Sequence, residues 1–152
     1  MTSQDGSPPT DASPDVAPDP VDGDRIVGLV VARGAATALI FAMPAAFLNV
    51  VLASQVPKPQ VGINLSFLVV LIGFAIGGAL AGREAPAQAA KHGAFAALAA
   101  YVPVEIVGLL GRSDRGDPVS LPQIIILGLL AACAGTIGAR FGANRRRRKE
   151  PT

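Results

Sequence analysis

The chain has 152 residues, of which 51% are hydrophobic and only 16% are charged, and its mean hydropathy is +0.48. Soluble domains carry about a quarter charged residues, so this composition excludes an ordinary soluble domain and leaves little room for a separate soluble catalytic domain. The charge is also uneven, because an acidic head and a basic tail flank an apolar middle. These features predict a membrane protein.

The head, residues 1–25, contains six Asp and five Pro. It has too little apolar surface to offset the entropy lost on ordering, so it is predicted to be disordered. It also lacks the basic start and early apolar stretch of a signal peptide, and we do not expect it to be one.

Four apolar stretches are long enough to cross a bilayer as helices, which takes about 20 residues each. They are too long and too uniformly apolar for the alternating strands of a β-barrel. The predicted fold class is all-α, a polytopic membrane protein with four transmembrane helices in two hairpins. The domain spans 26–143, with a basic tail at 144–152. The predicted spans are about 34–54, 61–82, 93–111 and 121–141, and 26–32 extends the first by an interfacial turn or two.

The distribution of Lys and Arg predicts the orientation of these spans. Ten of the 13 basic residues lie in the termini or in the loop after the second span, and three lie in the other two loops. Since basic residues are enriched on the cytoplasmic side, both termini are predicted to be cytoplasmic.

The two halves of the apolar region have similar sequences. RGAATALIFAMP at 33–44 aligns with HGAFAALAAYVP at 92–103, and the second and fourth spans both end in a Gly-rich run followed by Arg. One hypothesis is a duplicated helical hairpin with a pseudo-two-fold axis along the membrane normal. The alternative is chance matching in Ala-rich sequence. The alignment also places Arg33 at the cytoplasmic interface, where its side chain can reach water.

Glycines recur in the second and fourth spans, where they permit close helix packing. They could form an oligomer interface, but packing within the bundle is the more common use of such patterns. The residues are Gly73, Gly77, Gly78, Gly82, Gly128, Gly135, Gly138 and Gly142.

Glu105 is the strongest candidate for a functional residue, because it is an acidic residue near the middle of the third span. A charged carboxylate there costs on the order of 3 kcal/mol, so it should be protonated, paired or facing water. Arg112 follows seven residues later on the same helix face and is a candidate ion partner. Helix rise places further polar residues in the same outer half of the membrane. These are Asn49, Asn64, Ser66 and Gln123.

Two interpretations of these polar residues stay open. They could form a polar pocket that opens outward. Alternatively, Glu105 is a neutral acid bonded between helices, and the others are helix-end residues near the headgroups.

The basic tail follows the fourth span directly. Near a bilayer each basic residue contributes about 1 kcal/mol of attraction to anionic lipid, although a stop-transfer and orientation signal is the simpler explanation. Nucleic-acid binding would need a longer or folded basic surface and is not expected. The residues are Arg145, Arg146, Arg147, Arg148 and Lys149.

No cofactor or metal site is expected. The chain has one Cys, Cys133, and one His, His92, so it has no Cys/His cluster for a structural zinc. It also shows no nucleophile–base pair or phosphate-binding loop, and no catalytic residue is predicted.

The segment GGALAGREAPAQAAKHGAFAALAAY at 77–101 resembles a group of small four-helix bacterial integral membrane proteins. In that group the second helix ends in Gly-Gly and Ala-Gly-Arg, and the third opens with His-Gly-Ala. The resemblance implies four spans in a bacterial plasma membrane and no particular activity. Glu84 and the acidic head depart from the group's pattern. The matching residues are Gly77, Gly78, Ala81, Gly82, Arg83, His92, Gly93 and Ala94.

Two functional hypotheses follow. The first is a non-enzymatic membrane protein that acts through helix packing with itself or with membrane partners in the lipid bilayer. The second is a small transporter or channel subunit with an outward-facing polar pocket around Glu105. A membrane enzyme ranks below both, because no second catalytic group converges with Glu105.

Overall fold

The computed structural model describes residues 26–85 and 87–147, and within them it contains four α-helices. Each helix is long and apolar enough to cross a membrane, which confirms the predicted all-α, four-helix membrane fold. The predicted disordered head and the tail from 148 onward lie outside the described residues. The helices are α1 (Gly28–Ala53), α2 (Gln60–Glu84), α3 (Ala89–Arg115) and α4 (Leu121–Arg147).

The helices extend beyond the predicted spans, most clearly at the start of α1 and the end of α4. Hydropathy locates the apolar stretch, but a helix can continue past it while long basic side chains reach water. The end of α3 is set by the backbone instead. Gly116 adopts a left-handed φ of 69°, and Asp117 N–H donates to the Arg112 carbonyl at 3.0 Å. This is a Schellman-type helix end.

Short connections at 54–59, 85–88 and 116–120 make successive helices antiparallel. We call the end that carries the first and last of these connections the loop end, and the opposite end the terminal end. α2 and α3 each contact the other three helices, whereas α1 and α4 do not touch within the described residues. In cross-section the four helices therefore form a rhombus whose short diagonal joins α2 and α3.

Close contact between the backbones of α2 and α4 holds these two helices together from the middle of the bundle toward the terminal end. A Cβ atom added at Gly78 would lie 2.6 Å from the Cα of Gly135, and one at Gly138 would lie 2.7 Å from the carbonyl carbon of Ala75. Real Cβ atoms do not approach this closely, so only glycine fits at these positions.

All eight glycines predicted to serve packing face another helix of the same chain. Gly73 and Gly77 pack on α1, and Gly128 and Gly135 pack on α3. The other four, Gly78, Gly82, Gly138 and Gly142, pack between α2 and α4. The glycines are therefore used within the bundle and do not form a separate association surface.

The two hairpins share a packing pattern, which supports the duplication hypothesis. In each, a glycine near the start of the first helix packs against a glycine and an alanine of the second, and these two lie four residues apart. The sets are Gly34, Gly77 and Ala81 in one hairpin and Gly93, Gly135 and Ala139 in the other. The symmetry is incomplete, because α2 contacts α3 while the equivalent pair, α4 and α1, does not touch in the described residues.

His92 ties the start of α1 to α3 at the terminal end. Its ring is 2% exposed, its Nε2 accepts the Val27 N–H at 3.0 Å, and its Nδ1 lies 3.3 Å from the Gln88 carbonyl. Because an N–H can only donate and a carbonyl can only accept, this geometry fits a neutral ring with its hydrogen on Nδ1. Nearby, Arg33 Nη1 lies 3.2 Å from Glu84 Oε2, and the Arg33 side chain is 62% exposed.

We predict that Gly138→Ala destabilises the bundle by about 1–3 kcal/mol, the usual cost of overpacking. The added methyl group would collide with the Ala75 backbone, so α4 must move away from α2. The matched control is Gly108→Ala, since a Cβ there meets no atom within 4 Å. Unfolding of both variants in mixed micelles, followed by circular dichroism, measures the difference between their free energies of unfolding. Equal stability of the two variants would contradict the proposed backbone contact.

Candidate functional site

Glu105 lies on α3, about ten residues before the helix ends at the loop end. It is 8% exposed and is one of three buried polar residues in the described part of the chain, with Ser66 and His92. The helix runs without a break through Pro103, two residues earlier. Glu105 is therefore held within the bundle about 15 Å below the loop end of α3.

Arg112 is the cation that faces Glu105. Its Nη1 lies 3.2 Å from Glu105 Oε1, and the two side chains are only 16% and 11% exposed. Seven residues make two helical turns, which places both side chains on one face, as the sequence predicts. Shielding from water weakens salt screening of the pair, so its attraction exceeds that of a surface ion pair.

Tyr101 completes this cluster and was not predicted from the sequence. Its hydroxyl lies 2.9 Å from Glu105 Oε2 and 2.8 Å from the Ile124 carbonyl on α4. The residue is the only Tyr in the chain and precedes Glu105 by four positions, a spacing that brings side chains together on a helix. The four-residue spacing between Tyr101 and Glu105 is therefore the sequence feature that could have predicted their contact.

The Tyr101 hydroxyl has one hydrogen and two neighbouring acceptors. When Glu105 is ionised, the hydroxyl donates to either the carboxylate or the Ile124 carbonyl. When Glu105 is protonated, the carboxyl O–H can donate to Tyr101, which then donates to Ile124. The same geometry therefore accommodates Glu105 with or without a proton.

A second polar cluster joins α1 to α2. Asn49 Nδ2 donates to Ser66 Oγ at 2.7 Å and to the Ile63 carbonyl at 3.0 Å. Asn64 and Gln123, which were predicted to share the pocket, are exposed and take no part in either cluster. The rotation of their helices directs both side chains outward.

A cavity of about 110 Å³ brings parts of the two clusters together. This volume has room for several water molecules. Ser66 does not line it and faces a groove between α1 and α2 instead. The polar lining consists of Asn49, Tyr101, Glu105 and Arg112, and apolar walls come from Phe67, Val70, Leu71, Phe74 and Leu127.

Within residues 26–85 and 87–147, no group of three His, Cys, Asp or Glu side chains could hold a metal ion. The single Cys133 is exposed on α4. The polar groups that line the cavity can form ion pairs and hydrogen bonds.

No family model, curated protein or solved structure matches the chain. The resemblance of 77–101 to small four-helix bacterial membrane proteins accordingly stays a prediction.

Removing Arg112 should destabilise the protein more than removing both members of the pair. Arg112→Met leaves Glu105 buried without its cation, and the expected cost is about 3 kcal/mol. Glu105→Leu combined with Arg112→Met removes both charges, so the double variant should recover most of that loss. A double-mutant cycle of unfolding free energies in micelles measures the coupling. Additive effects would show that the two side chains do not interact.

Proposed function

We propose that the protein is a non-enzymatic transporter or channel subunit, in which the cavity at Glu105 binds a small cation, the proton included. The observation that carries this proposal is the buried Glu105–Arg112 pair on the wall of a cavity large enough for water. An ionisable residue inside a membrane span is costly and is usually found where it serves function.

Stability alone does not account for the pair. The close glycine contacts between α2 and α4 already hold these helices together, and they lie between the middle of the bundle and the terminal end. Replacing a buried ion pair by apolar residues of similar volume is often neutral or stabilising. A chain selected only for a stable bundle would therefore need no charges in this cavity.

The arrangement favours a cation over an anion. Glu105 is fixed within the helix, whereas Arg112 stands three residues before the end of α3 and can extend toward water at the loop end. A cation or proton at Glu105 can replace Arg112 as the partner of the carboxylate. The Asn49 side chain, which also lines the cavity, supplies a neutral oxygen for a cation.

The basic residues support an outward-facing cavity. Among the described residues, Arg33, Arg83, Arg140, Arg145 and Arg146 lie toward the terminal end. Because basic residues are enriched on the cytoplasmic side, this distribution supports a terminal end inside the cell, with the loop end and the cavity facing outward.

Association with a second copy or another membrane protein is a second candidate function. It is favoured by an apolar groove of about 440 Å³ between α1 and α2. Exposed bulky side chains line this groove, including Ile40, Phe41, Leu48 and Leu65. Such an assembly would use large apolar contacts, because the glycines already pack within the chain.

Water access to the cavity can be tested with cysteine labelling. In a Cys133→Ala background, a membrane-impermeant thiol reagent added to intact cells should label Glu105→Cys. It should spare Ile106→Cys, which is 52% exposed but faces lipid under this proposal. Gly108→Cys is an alternative probe of the cavity, because its Cβ meets no atom within 4 Å and it retains the ion pair. Equal, slow labelling at all three sites would refute a water-filled cavity.

Glu105→Gln should abolish cation transfer while keeping the cavity's shape. Proteoliposomes with wild-type protein should dissipate a pH or potassium gradient at least tenfold faster than those with the variant. A pH-sensitive dye in the vesicle lumen follows the pH gradient, and a potassium-selective electrode follows the potassium gradient. If wild-type and variant fluxes both equal those of protein-free vesicles, the transporter proposal fails and the association role becomes the better candidate.

A further inference from the structure

A second groove, of about 250 Å³, lies at the terminal end between α2 and α4. Its wall is mainly apolar, with Ile76 and Leu80 from α2 and Phe141 from α4, and Thr37 of α1 also lines it. Two arginines, Arg83 and Arg145, stand at the end of the groove nearest the helix termini. It therefore combines two positive charges with an apolar channel that runs into the membrane-spanning part of the bundle.

Neither Arg83 nor Arg145 is paired with an acidic side chain of the residues that the structure describes. The nearest acid in sequence, Glu84, is engaged by Arg33. Within the described part of the chain, neither Arg83 nor Arg145 forms an ion pair, and both are exposed. Their positive charge is thus available to a ligand.

The helices also fix the position of Arg83. A Cβ added at Gly142 would lie 3.0 Å from Arg83 Cγ, so the arginine stem packs closely over this glycine. Arg146 reaches the carbonyls of Arg83 and Ala85, each at 3.5 Å. The end of α2 is thereby held against α4, which fixes the width of the groove.

We propose that this groove binds one anionic phospholipid. The phosphate lies between the Arg83 and Arg145 guanidinium groups, whose planar donor sets match phosphate oxygens. One acyl chain follows the apolar wall toward Ile76, which lies two turns, about 10 Å, from Arg83 along α2. The lipid links the ends of α2 and α4.

The apolar wall distinguishes a lipid from a soluble phosphate and from general attraction to a basic surface. A free phosphate would use the arginines alone, and a diffuse basic surface would use every exposed arginine equally. The site lies at the opposite end of the bundle from Glu105, so it stands independently of the proposed cation cavity.

Native mass spectrometry of the full chain in detergent tests the proposal by titration with phosphatidylglycerol or phosphatidylcholine. Wild type should bind one phosphatidylglycerol with at least tenfold preference over phosphatidylcholine. Arg83→Gln and Arg145→Gln should each weaken this binding about tenfold. The control is Arg140→Gln, which makes the same charge change at an exposed position outside the groove and should alter binding less than twofold.

Three outcomes would overturn the proposal. If Arg140→Gln weakens binding as much as Arg83→Gln, the attraction is diffuse. If glycerol phosphate displaces phosphatidylglycerol when the two are at equal concentration, the site recognises phosphate without an acyl chain. If Leu80→Trp, which fills the groove without changing charge, leaves binding unaffected, the groove is not the site. Should Arg83→Gln fail to fold, Arg145→Gln and Leu80→Trp still decide between these outcomes.

Discussion

The backbone contact between α2 and α4 is the constraint on which the rest of the bundle depends. In a bilayer, helices gain no hydrophobic advantage from meeting one another, because lipid tails are as apolar as their side chains. Association must come from close packing, which glycine provides at Gly78 and Gly135. These contacts run from the middle of the bundle toward the terminal end, so α2 and α4 pack backbone to backbone there.

The loop end differs because larger side chains separate the helices there. Phe74 and Tyr101 meet edge to face with ring centroids 6.5 Å apart. They stand at the boundary between the tightly packed half and the cavity that both rings line. Glu105 lies in the half of the bundle nearer the loop end, where it pairs with Arg112 on the wall of the cavity.

Much of the fold could be predicted from the sequence, because in a membrane the number and length of apolar stretches largely determine it. The Glu105–Arg112 pair was also predictable, since both residues share one helix and its periodicity fixes their relative direction. Asn64 and Gln123 were placed by depth alone, and depth does not specify which way a helix is turned. The bond from Val27 to His92 could not be derived, because it requires knowing that α1 packs beside α3.

The two members of the ion pair are not equivalent, and this asymmetry bears on mechanism. The acid lies deep within α3 between two neighbours, Tyr101 and Arg112, and cannot leave without moving the helix. The arginine stands near a helix end, with a flexible stem and water within reach. Under the proposed function, a second positive charge in the cavity would let the arginine withdraw while the carboxylate keeps a partner. Arg112 would then be a replaceable counter-ion, which compensates Glu105 until a cation takes its place.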